Sequence, residues 1–248
     1  MKHTQKIWVG TSGFVYKHWR EGVFYPPGLP QKKWFEYYAS RFHTLEINST
    51  FYRLANHDAM ARWYKASPPH FRFVAKGSRF ITHMKRLSDP IPALHNFFRP
   101  LKPLREKLAA VLWQFPERSK PDVARLAAFI RAFQKQSDAQ LVFEFRNAEW
   151  FIEPVTALLK EHRAAYCRAD RPEFLRDLHF PDTAPLVYYR YHGPQRYAGD
   201  YSDTGLKRDA AAMRAFLKKG REIYAFFNND VGGAAPRDAQ RLLTFLAR

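Results

Sequence analysis

The 248-residue sequence predicts an α/β fold, a parallel eight-stranded (β/α)8 barrel of TIM type with its site at the C-terminal ends of the strands. Three observations carry this. Short apolar runs alternate eight times with segments of helical period, the pattern of right-handed βαβ units that close on themselves. Polar residues recur where those runs end, which is where barrel enzymes assemble their sites. No Ser/Gly-rich linker or composition break divides the chain, so residues 1–248 are expected to form one domain. An open doubly wound sheet is the alternative arrangement of the same elements.

Ile7 to Thr11 reads as the first strand. A loop rich in Gly, Pro and aromatic residues leads to a helix over Gln31 to Phe42, where Trp34, Phe35, Tyr38 and Phe42 recur at helical spacing. Thr44 to Asn48 is the second strand, and its helix, near His57 to Ala66, stops at Ser67-Pro68-Pro69. Phe71 to Lys76 is the third strand; a basic, Pro-rich stretch comes next, with a helix ending near Ala109. Ala110 to Gln114 is the fourth, and the helix over Asp122 to Gln136 is apolar at Val123, Leu126, Ala127, Ile130 and Phe133. Leu141 to Phe145 is the fifth, with a helix from about Trp150 to His162. Ala165 to Ala169 is the sixth, with a weak helix after it. Leu186 to Tyr191 and Ile223 to Phe227 complete the strands, with helices near Leu206 to Lys219 and Pro236 to Ala247.

The hydrophobic fraction of 46%, spread over short runs, fits a globular chain and excludes a disordered or fibrous one. Met1 to Lys6 lead directly into the first strand, with no apolar run of signal-peptide or membrane-span length, so no membrane association and a cytoplasmic location are expected. The single cysteine, Cys167, agrees with a reducing compartment and is expected to pack. A formal charge of +18 attracts polyanions without naming one. Eleven Lys/Arg against Asp89 and Glu106 lie between Arg62 and Lys107, which reads either as a solvated basic face or as an anion-binding surface.

The stretch Thr44 to Arg53 places Glu46 and Asn48 on one face of a strand whose other face carries Leu45 and Ile47. A carboxylate among residues made for burial needs a partner or a site. Equivalent polar residues end the other strands: Lys76, Gln114, Glu144 with Arg146, Arg168 with Asp170, Arg190 with His192, and Asn228, Asn229 and Asp230. Such a ring can be a set of mutually satisfied ion pairs, Glu144 with Arg146 for instance, or a ligand site.

These residues also carry a family resemblance. V-G-T-S-G-F at Val9 to Phe14, F-Y-P at Phe24 to Pro26, L-E-I-N-S-T-F-Y-R at Leu45 to Arg53 and R-F-I-T-H at Arg79 to His83 come first; Q-F-P at Gln114 to Pro116, F-E-F-R at Phe143 to Arg146, R-Y-H-G at Arg190 to Gly193 and F-N-N-D at Phe227 to Asp230 complete the series in order. Together they resemble the YecE-like family, also called domain of unknown function 72. The resemblance implies a TIM-type barrel and no settled reaction. One departure is Asn147, where a histidine is expected after the arginine.

Three functions are compatible with the ring. The first is acid/base hydrolysis of a phosphate-containing or phosphodiester substrate, nucleic acid or sugar phosphate, with Glu46, Glu144 and His192 catalytic. Asn48, Tyr52, Lys76, Gln114, Arg146, Asp170, Arg190, Asn228, Asn229 and Asp230 then bind substrate, and Gly232-Gly233 offers backbone amides to a phosphate. The second is a glycoside-handling enzyme using Glu46 and Glu144, with Trp19, Tyr52, Trp150, Tyr191 or Tyr197 stacking on sugars. The third is a non-catalytic basic barrel that binds nucleic acid. Glu46, Glu144, Asp170, His192 and Asp230 are potential metal donors, but no pair has zinc-site spacing, so neither a metal nor any other cofactor is assigned. The Gly- and Tyr-rich loop from Tyr191 to Gly205 is a candidate lid.

Overall fold

In the computed structural model, which describes residues 6–176 and 178–247, eight parallel strands form one sheet in the order β1-β8-β7-β6-β5-β4-β3-β2. The strands are β1 (Ile7–Thr11), β2 (Thr44–Ile47), β3 (Arg72–Lys76), β4 (Leu108–Gln114), β5 (Gln140–Glu144), β6 (Ala165–Ala169), β7 (Leu186–Tyr191) and β8 (Glu222–Phe227). The two ends of this order, β1 and β2, meet and close a TIM-type barrel. Their seam is joined directly only near the top, where Ser12 bridges Glu46 and the Gly13 amide donates to the Glu46 carbonyl at 2.8 Å. Lower down the Tyr38 hydroxyl is spliced in: it accepts from the Thr11 amide and donates to the Thr44 carbonyl, both at 2.9 Å. Two backbone groups that would lack a ladder partner are thereby satisfied. Gly10 permits the approach, because a Cβ there would lie 2.5 Å from the Thr44 carbonyl oxygen.

Helices α1 (Trp34–Arg41), α2 (His57–Ala66), α3 (Pro90–Phe98), α4 (Val123–Gln134), α5 (Glu153–Glu161), α6 (Asp203–Lys218) and α7 (Ala234–Leu246) come after their strands, except that β6 leads into a 3-10 turn, Glu173–Arg176. Asn56, Asp122 and Ser202 cap α2, α4 and α6 by accepting an amide three residues on, which fixes those starts. Two expected helices are shorter than their patterns suggest. The one before β4 ends at Phe98 and continues as 3-10 turns to Lys107, because Pro100 and Pro103 lack the amide an α-helix needs and Arg105 turns back with φ +49°. The one after β5 begins at Glu153, where Pro154 presets the first turn, rather than near Trp150. The reading of the chain start as free of a leader falls on residues 1–5, outside the described residues.

Alternation along the strands separates two cores. Outward residues pack under the helices: Phe73 stacks with Phe35 and Trp63, Trp113 meets Phe129 edge-on, and Phe145 stacks on Trp150 at 4.5 Å. Gly77 is required just above β3, since a Cβ there would lie 2.1 Å from the Trp113 ring. Inside, an aromatic floor of Trp8 stacked on Tyr224, with Phe226 against Tyr188, fills the lower barrel. The polar residues lie above it.

Candidate active site

The centre of the barrel mouth is a buried ion network. Arg190, on β7, places its guanidinium between two carboxylates: Nη2 donates to Glu46 Oε1 at 2.7 Å, Nε reaches both Glu46 oxygens at 3.1 Å, and Nη1 donates to Glu144 Oε2 at 3.0 Å. All three side chains are inaccessible to solvent. Ser12 Oγ and the Tyr188 hydroxyl each add a 2.6 Å bond to Glu46, and Arg146 Nε adds a 2.8 Å bond to Glu144. Burial alone would raise both carboxyl pKa values; the Arg190 charge and its hydrogen bonds reverse this for Glu46, and Arg146 with Arg190 does so more strongly for Glu144. Both are therefore carboxylates at neutral pH, and two arginines balance them.

That result corrects the expectation that their environments would drive the two carboxyls apart into an acid and a base. Both are held low, so neither is a proton donor near pH 7, and Glu46 is saturated by its donors. The polar ring is a mutually satisfied network at its centre, as the ion-pair reading allowed.

Lys76 differs from every other member of the ring. It is 6% exposed, and its Nζ makes no hydrogen bond or ion pair among the described residues. Its contact is the face of Phe51, with Nζ 4.2 Å from the ring centroid. The 3-10 turn Asn48–Phe51 places that ring over the end of β3, because Thr50 Oγ1 donates to the carbonyls of Ile47 and Lys76 at 2.7 and 2.6 Å. Loss of hydration, reinforced by the Arg190 charge, lowers the Lys76 pKa to about 7 against the partial attraction of Glu144 and Glu46. His83, beyond the Phe51 ring, has its pKa lowered by burial and by Lys76; it lies on a π-helical turn, Phe80–Met84, of the kind often found at functional sites.

Gln114 and Glu144 are register partners, and Gln114 stands one step above Leu112, the partner of Lys76. Among the described residues its buried Oε1 has no donor, and neither has Asn48 Oδ1. His192 is also buried. Asn228 Nδ2 lies 3.2 Å from its Nδ1, which puts the proton on Nε2 when the amide donates. Nε2 is 3.5 Å from Glu144 Oε1, within ion-pair range but outside hydrogen-bond geometry, and has no other partner among the described residues. Burial lowers the His192 pKa more than Glu144 raises it, so the ring is neutral. His192, Arg146, Arg196 and Tyr197 border a cavity of about 250 Å³ at the mouth.

The remaining expected site residues lie on the rim and hold the chain. Asp170 accepts from the His192 amide at 2.8 Å and from the Tyr201 hydroxyl. Asn229 donates to the Gly199 carbonyl and to Asp238, which also accepts from the Tyr201 amide. The candidate lid is thus pinned at both ends. Asp230 receives His18 Nε2 and Trp19 Nε1 on its carbonyl, and burial raises its carboxyl pKa. Tyr52 is 66% exposed. Of the Gly232-Gly233 pair, the Gly233 amide is already engaged, donating to the Asp230 carbonyl at 3.1 Å. Arg168 points outward, against Phe180, Phe216 and Asp182, since its parity is that of Tyr166. Asn147, at the position where the resemblance implies a histidine, caps a turn through the Glu149 amide and donates to the Ser119 carbonyl. Among the described residues, no three His, Cys, Asp or Glu side chains gather in a metal-binding group.

Sequence reasoning missed Ser12, Tyr188 and His83. Strand parity was signal enough for Tyr188, two residues before Arg190; Ser12 and His83 stand inside the V-G-T-S-G-F and R-F-I-T-H motifs, which marked their segments without placing either side chain at the mouth.

The family model described as "Protein of unknown function DUF72" matches residues 8–248. YunF of Bacillus subtilis (strain 168), a UPF0759 protein, is 24% identical over 97% of this chain and 94% of its own length. The DUF72 family protein TM1631 of Thermotoga maritima MSB8 superposes with a TM-score of 0.84 at 28% identity, covering 98% of this chain and all of the other. EF0366 of Enterococcus faecalis V583, a DUF72 protein at 22% identity and TM-score 0.78, shares the fold over 98% and 96% of the two chains.

Proposed function

Because this chain belongs to the DUF72 family, whose name supplies no reaction, we propose its chemistry from the mouth of its own barrel: acid/base catalysis on a phosphate-containing substrate, with Lys76 rather than Glu46 or Glu144 as the group that takes the proton. The observation that carries this is Lys76, a nine-tenths buried amine at the end of β3 with no acceptor among the described residues and a pKa of about 7. An amine near that value is poised to accept a proton at neutral pH. Burying it uncompensated is costly, and the neighbouring network, fully paired, keeps the amine apart from the carboxylates. Arg196, on the cavity that His192 and Arg146 also border together with Glu117 and Glu173, supplies a charge that would hold a phosphate, and His192 Nε2–H is an unengaged hydrogen-bond donor. Hydrolysis results when the proton removed is that of a water.

The dianionic phosphate product beside Lys76 would raise its pKa and keep the accepted proton on it, so binding of such a phosphate to the free protein should take up a proton. Calorimetry of inorganic phosphate and sugar phosphates at pH 8, in buffers of different ionisation enthalpy, is expected to show this uptake, and Lys76→Met to abolish it. Turnover of bis(p-nitrophenyl) phosphate or a sugar phosphate should be lost in Lys76→Met. Binding without proton uptake, together with turnover unchanged in the variant, excludes the proposal.

A further inference from the structure

We infer that the substrate carries an aldehyde or ketone, and that Lys76 Nζ adds to its carbonyl carbon. The inference rests on the mouth being an active site centred on Lys76, and replaces water with Lys76 itself as the nucleophile. Three features of the geometry support it. The amine has no ion-pair or hydrogen-bond partner among the described residues, so its lone pair is not held by a neighbouring acid. The Phe51 ring covers one side of it on a turn locked by Thr50, which shields that face of an imine from water. The buried Gln114 Oε1, one step along the neighbouring strand, is an acceptor with no donor among the described residues, which suits a hydroxyl beside the carbonyl. Arg196, on the mouth cavity, suits an anionic group at the far end. The chemical class is a hydroxylated carbonyl compound bearing phosphate or carboxylate.

In the step, the nitrogen lone pair forms the C–N bond while the C=O π pair moves to oxygen. A proton passes from nitrogen to that oxygen, giving a carbinolamine. Protonation of the hydroxyl by a proton taken from solvent, with the neutral His192 Nε2–H as a hydrogen-bond donor to the departing oxygen, releases water and leaves a protonated imine. One water leaves for each imine formed.

The full chain is incubated at pH 7 with glyceraldehyde 3-phosphate, dihydroxyacetone phosphate or glyoxylate, with and without sodium cyanoborohydride, and examined by intact mass and peptide mapping. The reductant delivers hydride to the imine carbon and fixes a secondary amine. The expected result is one adduct per chain with at least one probe, on Lys76 at least tenfold over any other lysine. It should be lost in Lys76→Arg, whose circular dichroism matches the parent. No adduct with any probe, or an adduct spread over surface lysines, overturns the inference. If trapping fails while Lys76→Met still abolishes proton uptake and turnover, only the covalent step falls; if those too are unchanged, the proton-transfer reading falls with it.

Discussion

Replacing Lys76 with methionine should make this protein more stable while removing the proposed reactive group. In the barrel the amine has a pKa of about 7, against 10.5 for an unperturbed lysine. Each pKa unit corresponds to about 1.4 kcal/mol, so retaining Lys76 costs the folded state about 4 kcal/mol at pH 7. The sign is set by proton counting. Between about pH 7 and 10.5 the unfolded chain holds a proton that the folded chain does not, so parent stability rises with pH across that window; below it the penalty is constant, and above it the penalty is gone. Methionine keeps the unbranched stem against Phe51 and has no charge to desolvate. At about 2–4 °C per kcal/mol for a chain of this size, the melting temperature at pH 7 should rise by about 8–16 °C. Thermal and urea unfolding of parent and variant at pH 6, 7, 8.5 and 10 measures the gain, which should shrink steadily above pH 7. A variant no more stable at pH 7, or a gain independent of pH, would refute the account of Lys76.

Other outcomes are expected from the network and the seam. Arg190→Met leaves Glu46 and Glu144 buried without their shared partner and should cost about 3–5 kcal/mol by urea unfolding, where loss of an exposed arginine costs little. The depressed Glu46 and Glu144 pKa values contribute stability that is fully present above the usual value of 4.5 and is lost as pH falls through the lower folded values; Glu144→Gln should flatten that acid slope, and an unchanged slope would assign it to other groups. Tyr38→Phe removes the hydroxyl from the β1–β2 seam and should cost about 1–3 kcal/mol, with faster amide exchange at Thr11; protection equal to the parent's would mean the seam closes without it.

The order and type of the elements were legible in the sequence because strand alternation and helical period are local signals. Seven strands begin and end within one residue of their expected bounds; β4 extends back to Leu108, where the proline-rich turns before it release the chain. The face of most polar residues was legible too, since parity alone put Glu46, Gln114, Glu144 and Arg190 inside. Lys76 could be named as a ring member from sequence alone.

What the tertiary structure decided is which of these groups are spent on one another. Glu46 and Arg190 are far apart in the chain, and whether a guanidinium reaches one carboxylate, two or none depends on barrel closure and register, which no local pattern encodes. That closure pairs Glu46 and Glu144 with Arg190 and leaves Lys76 buried with no ion-pair partner among the described residues. Local pattern determines which side chains face the mouth; a carboxylate's or amine's reactivity is a property of its neighbours and its access to water, and only folding sets those.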